Sequence, residues 1–311
     1  MVERALVVKV IPLRIRRKIK YFLKIFNEIK LIKILRVRKI KRSLENIFQQ
    51  SKNLDGLDST EIHQKIVQLH CLTSGHALDE LSNRLANDSI EVVDSGKYFS
   101  QYHSSKVDIV NEVRAKGFFA IESVIPKNIC QEVVEYALNT ECYPRPADGE
   151  ISALKCLPTP PFKSARYDFS PDLRLIFDNQ ILQDLIFDPF IFDIAQKYFN
   201  GRPYLDPVEL WWYFPYDKRD DAWAENYHFD MDSIKWLKFF INFEDINVAN
   251  GPHCFIEGSH IAGAVPNTLL TKGYSRLLDE EVFIAMKRIN TSSFVFSLNY
   301  FLLNSIKDYI S

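Results

Sequence analysis

Asn226-Tyr227-His228-Phe229-Asp230-Met231-Asp232, followed by an apolar run and then Gly251-Pro252-His253-Cys254-Phe255-Ile256-Glu257-Gly258-Ser259-His260, is the stretch on which the reading of this chain turns. His228 and Asp230 stand two apart. On an extended backbone residues i and i+2 point to one face, so an imidazole and a carboxylate converge there. That supplies two thirds of the two-His-one-carboxylate facial triad that holds non-haem Fe(II) with open coordination positions.

Around this stretch the chain reads as strands. Val208–Tyr216 is aromatic-rich, Trp236–Phe243 is almost continuously apolar, and Cys254–Ile256 follows the turn at Asp245–Gly251. Short connections between such segments point to an antiparallel sandwich or barrel. Upstream, Gly117 ends a predicted helix over Ser105–Ala115, Phe118–Ile125 reads as a strand, and Pro126 opens a helix through about Leu138. Residues 141–171 read as a long Pro-containing loop, and helical segments run from Asp172 to Phe199, closed by Asn200-Gly201. Before residue 117, helices are predicted through about Thr73 and over Ala77–Ala86. His63 and His70 fall seven apart there and read as ordinary helix residues.

Charge divides the chain differently. Its net charge is −1, yet residues 1–46 carry 15 Lys/Arg against 3 Asp/Glu, leaving 24 against 37 for the rest. From Leu13 to about Phe48 the residues Ile15, Ile19, Phe22, Phe26 and Ile29, then Val37, Ile40, Leu44 and Ile47, recur at helical spacing among Lys and Arg. This basic amphipathic segment suits an anionic membrane surface, with packing on the acidic body or on a partner as the alternative. No nucleic-acid-binding module accompanies the charge, so nucleic acid is not expected as a partner. The 5 widely spaced cysteines argue for reduced thiols, and no apolar run reaches the length of a membrane span. The early run Ala5–Leu13 is broken by Lys9 and Pro12 and lacks a signal-peptide cleavage site. The expected location is cytoplasmic, peripheral at the inner face of a membrane. The expected organisation is a basic helical segment (1–48), a helical region (49–116) and a strand-rich domain (117–311).

Gly117–Ile125 with Pro126-Lys127-Asn128-Ile129-Cys130, His228-Phe229-Asp230, and Gly251-Pro252 through Gly258-Ser259-His260 together resemble the phytanoyl-CoA dioxygenase family, in consistent order over about residues 115–265. The resemblance implies an α+β chain with a double-stranded β-helix (jelly-roll, cupin-like) core. It also implies Fe(II), 2-oxoglutarate and O2, used to hydroxylate a small-molecule or lipid-linked substrate. By position His228 and Asp230 would be metal ligands. Lys238, Asn242 and Tyr213 would border the cosubstrate or the cavity, with Trp211 beside Tyr213, and Ser259 and His260 would support the metal site from behind. Solvent exposure for Lys238 and core packing for Tyr213 and Trp211 are the competing readings.

The family pattern also needs a distal His and an Arg shortly beyond it. No His follows His260, and Arg276 and Arg288, the only later arginines, follow no such His. The resemblance stops near Val282, so the expectation is a jelly roll incomplete at its C terminus, with a weakened or inactive site unless His253 or His260 turns inward as a third ligand. Two further readings stand beside it: a non-catalytic jelly-roll binding module attached to a membrane surface, and a cupin-type isomerase or hydrolase using His228 and Asp230 differently.

Overall fold

The helical recurrence at the start of the chain becomes one long helix, α1 (Leu13–Gln50), in the computed structural model of the protein. The structure describes residues 13–50, 59–86, 96–122, 124–145, 151–160, 166–205, 208–213, 226–231, 233–246, 253–273, 276–287, 294–296 and 300–304, with side chains at all of these except 13–27, 48–50, 59, 103, 122, 287 and the last two segments. Helices α2 (Ser59–Thr73) and α3 (His76–Leu85) follow. Against them α1 lays Ile40 and Leu44, which are buried with Ile66, Leu69, Leu78 and Leu81. Each such apolar side chain contributes about 1.5–3 kcal/mol by leaving water. Ion pairs flank the contact, Lys41 to Glu80 at 2.5 Å and Arg84 to Glu45 at 2.9 Å.

A 3-10 turn (Ser100–Ser105) leads into α4 (Lys106–Lys116), which stops where the sequence predicts, at Gly117 with φ 96°. Strand β1 (Phe118–Glu122) and helix α5 (Lys127–Leu138) come next, with Pro126 capping the helix from outside. The segment predicted as an unbroken loop carries β2 (Tyr143–Arg145) and β3 (Arg166–Asp168). Pro144 fits there because β2 is an edge strand, where a missing N–H removes no necessary ladder bond. Helices α6 (Arg174–Phe177), α7 (Gln180–Ile186) and α8 (Pro189–Phe199) follow, α8 closing on Asn200 at φ 56°. Asp188 caps α8 by accepting from Phe190 N at 2.9 Å. It also accepts from Lys97 N and Tyr98 N, tying the segment before the 3-10 turn to the helix.

The strand-rich half contains β4 (Trp211–Tyr213), β5 (Lys238–Phe240), β6 (Cys254–Ile256), α9 (Asn267–Leu270), α10 (Asp279–Lys287), β7 (Phe294–Phe296) and β8 (Tyr300–Asn304). Among the described residues three antiparallel sheets result, ordered β1-β8-β5, β2-β3-β4 and β6-β7. Strand β8 stands between β1 and β5, with Asn304 facing both Phe118 and Lys238 in register. The apolar stretch near the end of the sequence, which carries none of the expected chemistry, thus supplies a central strand. The protein is of mixed helix-and-sheet class.

Among the described residues four buried clusters make the core. One joins α4, β1 and α8 through Phe99, Ile109, Val113, Ile121, Phe190 and Ile194. Within it lies an ion pair, Lys106 to Asp193 at 2.9 Å, with both residues buried. The cluster under α1 also takes in Met231 and Ile234, from the segment that carries His228 and Asp230. The N-terminal helices therefore form the floor beneath that segment.

Candidate metal centre

Residues 226–230 lie outside the named strands; among the described residues Tyr227 bridges Leu277 through a 2.7 Å backbone bond. Alternation does the rest. Tyr227 and Phe229 pack against the cluster around Leu270 and Val282, while Phe229 and Met231 join the cluster under α1. With the odd-numbered side chains anchored in apolar surroundings, the even-numbered ones, His228 and Asp230, are left to converge. The His228 Nε2 and Asp230 Oδ1 atoms are 3.3 Å apart.

The proton positions around His228 follow from its partners. Its Nδ1 lies 2.8 Å from the Asn226 carbonyl oxygen. A carbonyl only accepts, so Nδ1 donates, and in a neutral ring Nε2 then presents a lone pair to a carboxylate oxygen. Two acceptors so placed need a shared cation, either a proton on the ring or a metal ion. Metal-bound histidines characteristically donate their other ring N–H to a carbonyl in this way. Two ligand atoms each about 2.1 Å from a first-row metal and at right angles stand about 3 Å apart, close to the separation seen.

Asp230 is buried at 5 % exposure. Burial pushes its pKa up, but the His228 hydrogen bond and the charges of Lys238 and His228 outweigh that, holding the carboxyl well below the usual carboxylate range. Lys238, on β5, places Nζ 2.5 Å from Asp230 Oδ2 and 5.0 Å from the Trp236 ring centroid. Its role is therefore pairing with Asp230 rather than plain solvent exposure. It fixes one carboxylate oxygen and leaves Oδ1 toward His228, the arrangement of a carboxylate offering a single ligand atom.

The other predicted residues are distributed unevenly. The His253 ring lies 4.3 Å from the Phe240 ring and 6.3 Å from that of Phe255. Burial of the ring, then the Lys238 charge, lower its pKa below the ordinary imidazole value, although the residue keeps solvent-exposed area. His253 thus belongs to the neighbourhood of Lys238. His260 goes elsewhere: its Nε2 donates to the Arg114 carbonyl at 2.9 Å, and its ring covers Gly117 at the end of α4. Ser259 closes the turn at Ile256 through its backbone N–H. Asn242 is half-buried just beyond β5, and Tyr213 is 47 % exposed on β4. Gly251, Pro252, Asp232 and Arg288 lie outside the described residues. Among the described residues no three His, Cys, Asp or Glu side chains gather in a metal-holding set.

Sequence reading missed a second charged group, on the β2-β3-β4 sheet. Arg166 and Asp168 are buried and paired at 2.8 Å, with Arg145 reaching Asp168 at 3.2 Å. The Arg166 guanidinium stacks 3.6 Å above the Trp211 ring and 5.8 Å from that of Tyr213. Glu209, whose pKa is raised by burial, feels the charges of Arg166, Asp168, Lys238 and Arg145, which joins this group electrostatically to Lys238. Arg166-Tyr167-Asp168 has the same alternate spacing as His228-Phe229-Asp230, and that was the available signal.

Comparison with family models, with curated proteins and with solved structures returns no match.

Proposed function

We propose that this chain is a non-haem Fe(II), 2-oxoglutarate-dependent dioxygenase-like protein with a double-stranded β-helix core, whose metal centre is built on His228 and Asp230. The observation that carries the reading is the convergence of His228 Nε2 and Asp230 Oδ1 to 3.3 Å while the Asn226 carbonyl takes the proton of Nδ1. Iron with 2-oxoglutarate and O2 would supply the oxidising power to hydroxylate a C–H bond of a small or lipid-linked substrate. His228 and Asp230 would hold the metal. Lys238 pairs with Asp230 Oδ2 at 2.5 Å and, with His228, favours the ionised carboxylate. Arg166 and Arg145, both paired with Asp168, form a separate charged group that the charge of Glu209 links to Lys238.

A second reading rests on Lys238. Its ammonium already meets the Asp230 charge at 2.5 Å, as expected of a closed polar cluster in a non-catalytic binding module. Anaerobic Fe(II) titration separates the two. The dioxygenase-like reading requires micromolar binding that is lost in His228→Ala and Asp230→Ala, together with a visible charge-transfer band on adding 2-oxoglutarate. Absence of metal uptake by the native chain would leave the binding module.

A further inference from the structure

The end of α1 that docks on the body carries the second of the two apolar stripes that the sequence assigns to a membrane surface. Val37, Ile40 and Leu44 are used up against α2 and α3, with Ile40 and Leu44 buried. Just before them lies a different surface. Leu31, Ile32, Ile34 and Leu35 are 55, 64, 40 and 54 % exposed. At about 100° per residue these four fall in one sector of about 160°. Lys30, Lys33 and Arg36, all exposed, fall in the opposite sector, on the side of Val37, Ile40 and Leu44, together with one exposed apolar residue, Ile29 at 60 %. The helix thus turns an apolar face away from the body, with Lys30 and Arg36 nearest its two edges and Lys33 behind it. Arg36 reaches Gln68 on α2 at 3.4 Å, marking where the docked part begins. No helix among the described residues is long and apolar enough to cross a membrane.

We infer that Leu31, Ile32, Ile34 and Leu35 form a lipid-contacting face by which the protein lies on an anionic membrane surface. The charge argument selects this occupant. Residues 1–46 carry 15 Lys/Arg against 3 Asp/Glu, whereas the rest of the chain is acidic, 24 against 37. A second copy would bring the same basic helix against this one, stacking like charges, whereas lipid phosphates neutralise them. Lys and Arg lay their methylene stems along the apolar boundary and reach outward to the headgroups. Because the docked end of α1 shares its core with Met231 and Ile234, the helix fixes the orientation of the His228–Asp230 segment relative to the surface. The lipid face stands independently of metal binding at that segment.

The test is co-sedimentation of the full chain with vesicles of phosphatidylcholine alone and of phosphatidylcholine mixed with phosphatidylserine, with the oligomeric state followed in parallel by analytical ultracentrifugation. The native chain should bind the mixed vesicles and bind less as salt rises. Leu31→Ser/Ile34→Ser/Leu35→Ser should weaken binding by at least about tenfold. Lys30→Glu/Lys33→Glu should weaken it comparably, and both variants should keep the native melting curve because all these side chains are exposed. Undiminished binding by the apolar variant overturns the inference, as does equal binding to neutral vesicles. So does a native chain that ignores vesicles, whether it remains a monomer or self-associates through α1.

Discussion

Replacing Lys238 by Met keeps most of the side chain's apolar stem and removes its charge, which isolates what the ammonium does for Asp230. At 2.5 Å the gross attraction is about 7 kcal/mol for an effective dielectric constant of about 20, but desolvation of both ions offsets most of it. The side chain of Asp230 is 8 % exposed and that of Lys238 31 %, so the carboxylate is the member left in difficulty. Removing one partner of a fully buried pair costs about 3–5 kcal/mol, and the partial exposure of Lys238 lowers the expectation to about 2–3 kcal/mol. A divalent metal bound between His228 and Asp230 would supply the missing positive charge. At about one hundred times its dissociation constant, a ligand specific to the folded state returns about 2.7 kcal/mol. Urea unfolding of the native chain and of Lys238→Met, each with and without Co(II) as a redox-stable stand-in for Fe(II), measures both quantities. The variant should be less stable without metal and should gain more from metal than the native chain does. A variant within about 0.5 kcal/mol of native without metal would refute the pairing of Lys238 with a buried Asp230 charge.

Acid should destabilise the fold through identified carboxyls. Asp230 and Asp193 both have pKa values depressed in the folded state, burial being outweighed by His228 and Lys238 in one case and by Lys197 and Lys106 in the other. Depressed carboxyls contribute stability that is complete above their unfolded value of about 3.9 and lost as pH falls through the folded values, so unfolding free energy should fall below about pH 4. Asp193→Ala strands the Lys106 ammonium, 3 % exposed, in the α4–α8 core and should cost about 3 kcal/mol by chemical denaturation; a neutral result would mean that Lys106 finds water. Gly117→Ala places a Cβ 2.6 Å from His260 Nδ1 at φ 96°, and should cost about 1–3 kcal/mol. Adding His260→Ala relieves the clash but not the backbone strain, so the double variant should be less destabilised than the sum of the two single ones.

Helical spacing in the sequence locates α1 within two residues at its end, because a long periodic segment leaves few alternatives. Gly117 and Pro126 were read correctly as the stop of α4 and the entry of α5, each through a backbone property that needs no tertiary context. Strands β2 and β3 were not legible: three residues each, one holding Pro144, they exist through pairing with β4 rather than through local preference. The destination of Val37, Ile40 and Leu44 was also hidden. Spacing defines an apolar face but not whether protein or lipid covers it. At the site, the convergence of His228 and Asp230 could be read from alternate positions, and the polar interruption of an apolar strand singled out Lys238. The Arg166–Asp168 pair carries the same alternation but lies in a stretch whose prolines read as a loop. The capping of Arg114 by His260 joins positions 146 residues apart, beyond the reach of any local pattern.

Anaerobic titration with Fe(II) or Co(II), followed by calorimetry on the native chain, His228→Ala and Asp230→Ala, addresses the centre most directly. The arrangement of Asn226, His228, Asp230 and Lys238 predicts one metal per chain, bound at micromolar concentration by the native protein and lost in both variants, with all three chains folded by circular dichroism. Equal uptake by the native chain and the two variants, or no uptake by a folded native chain, would contradict it.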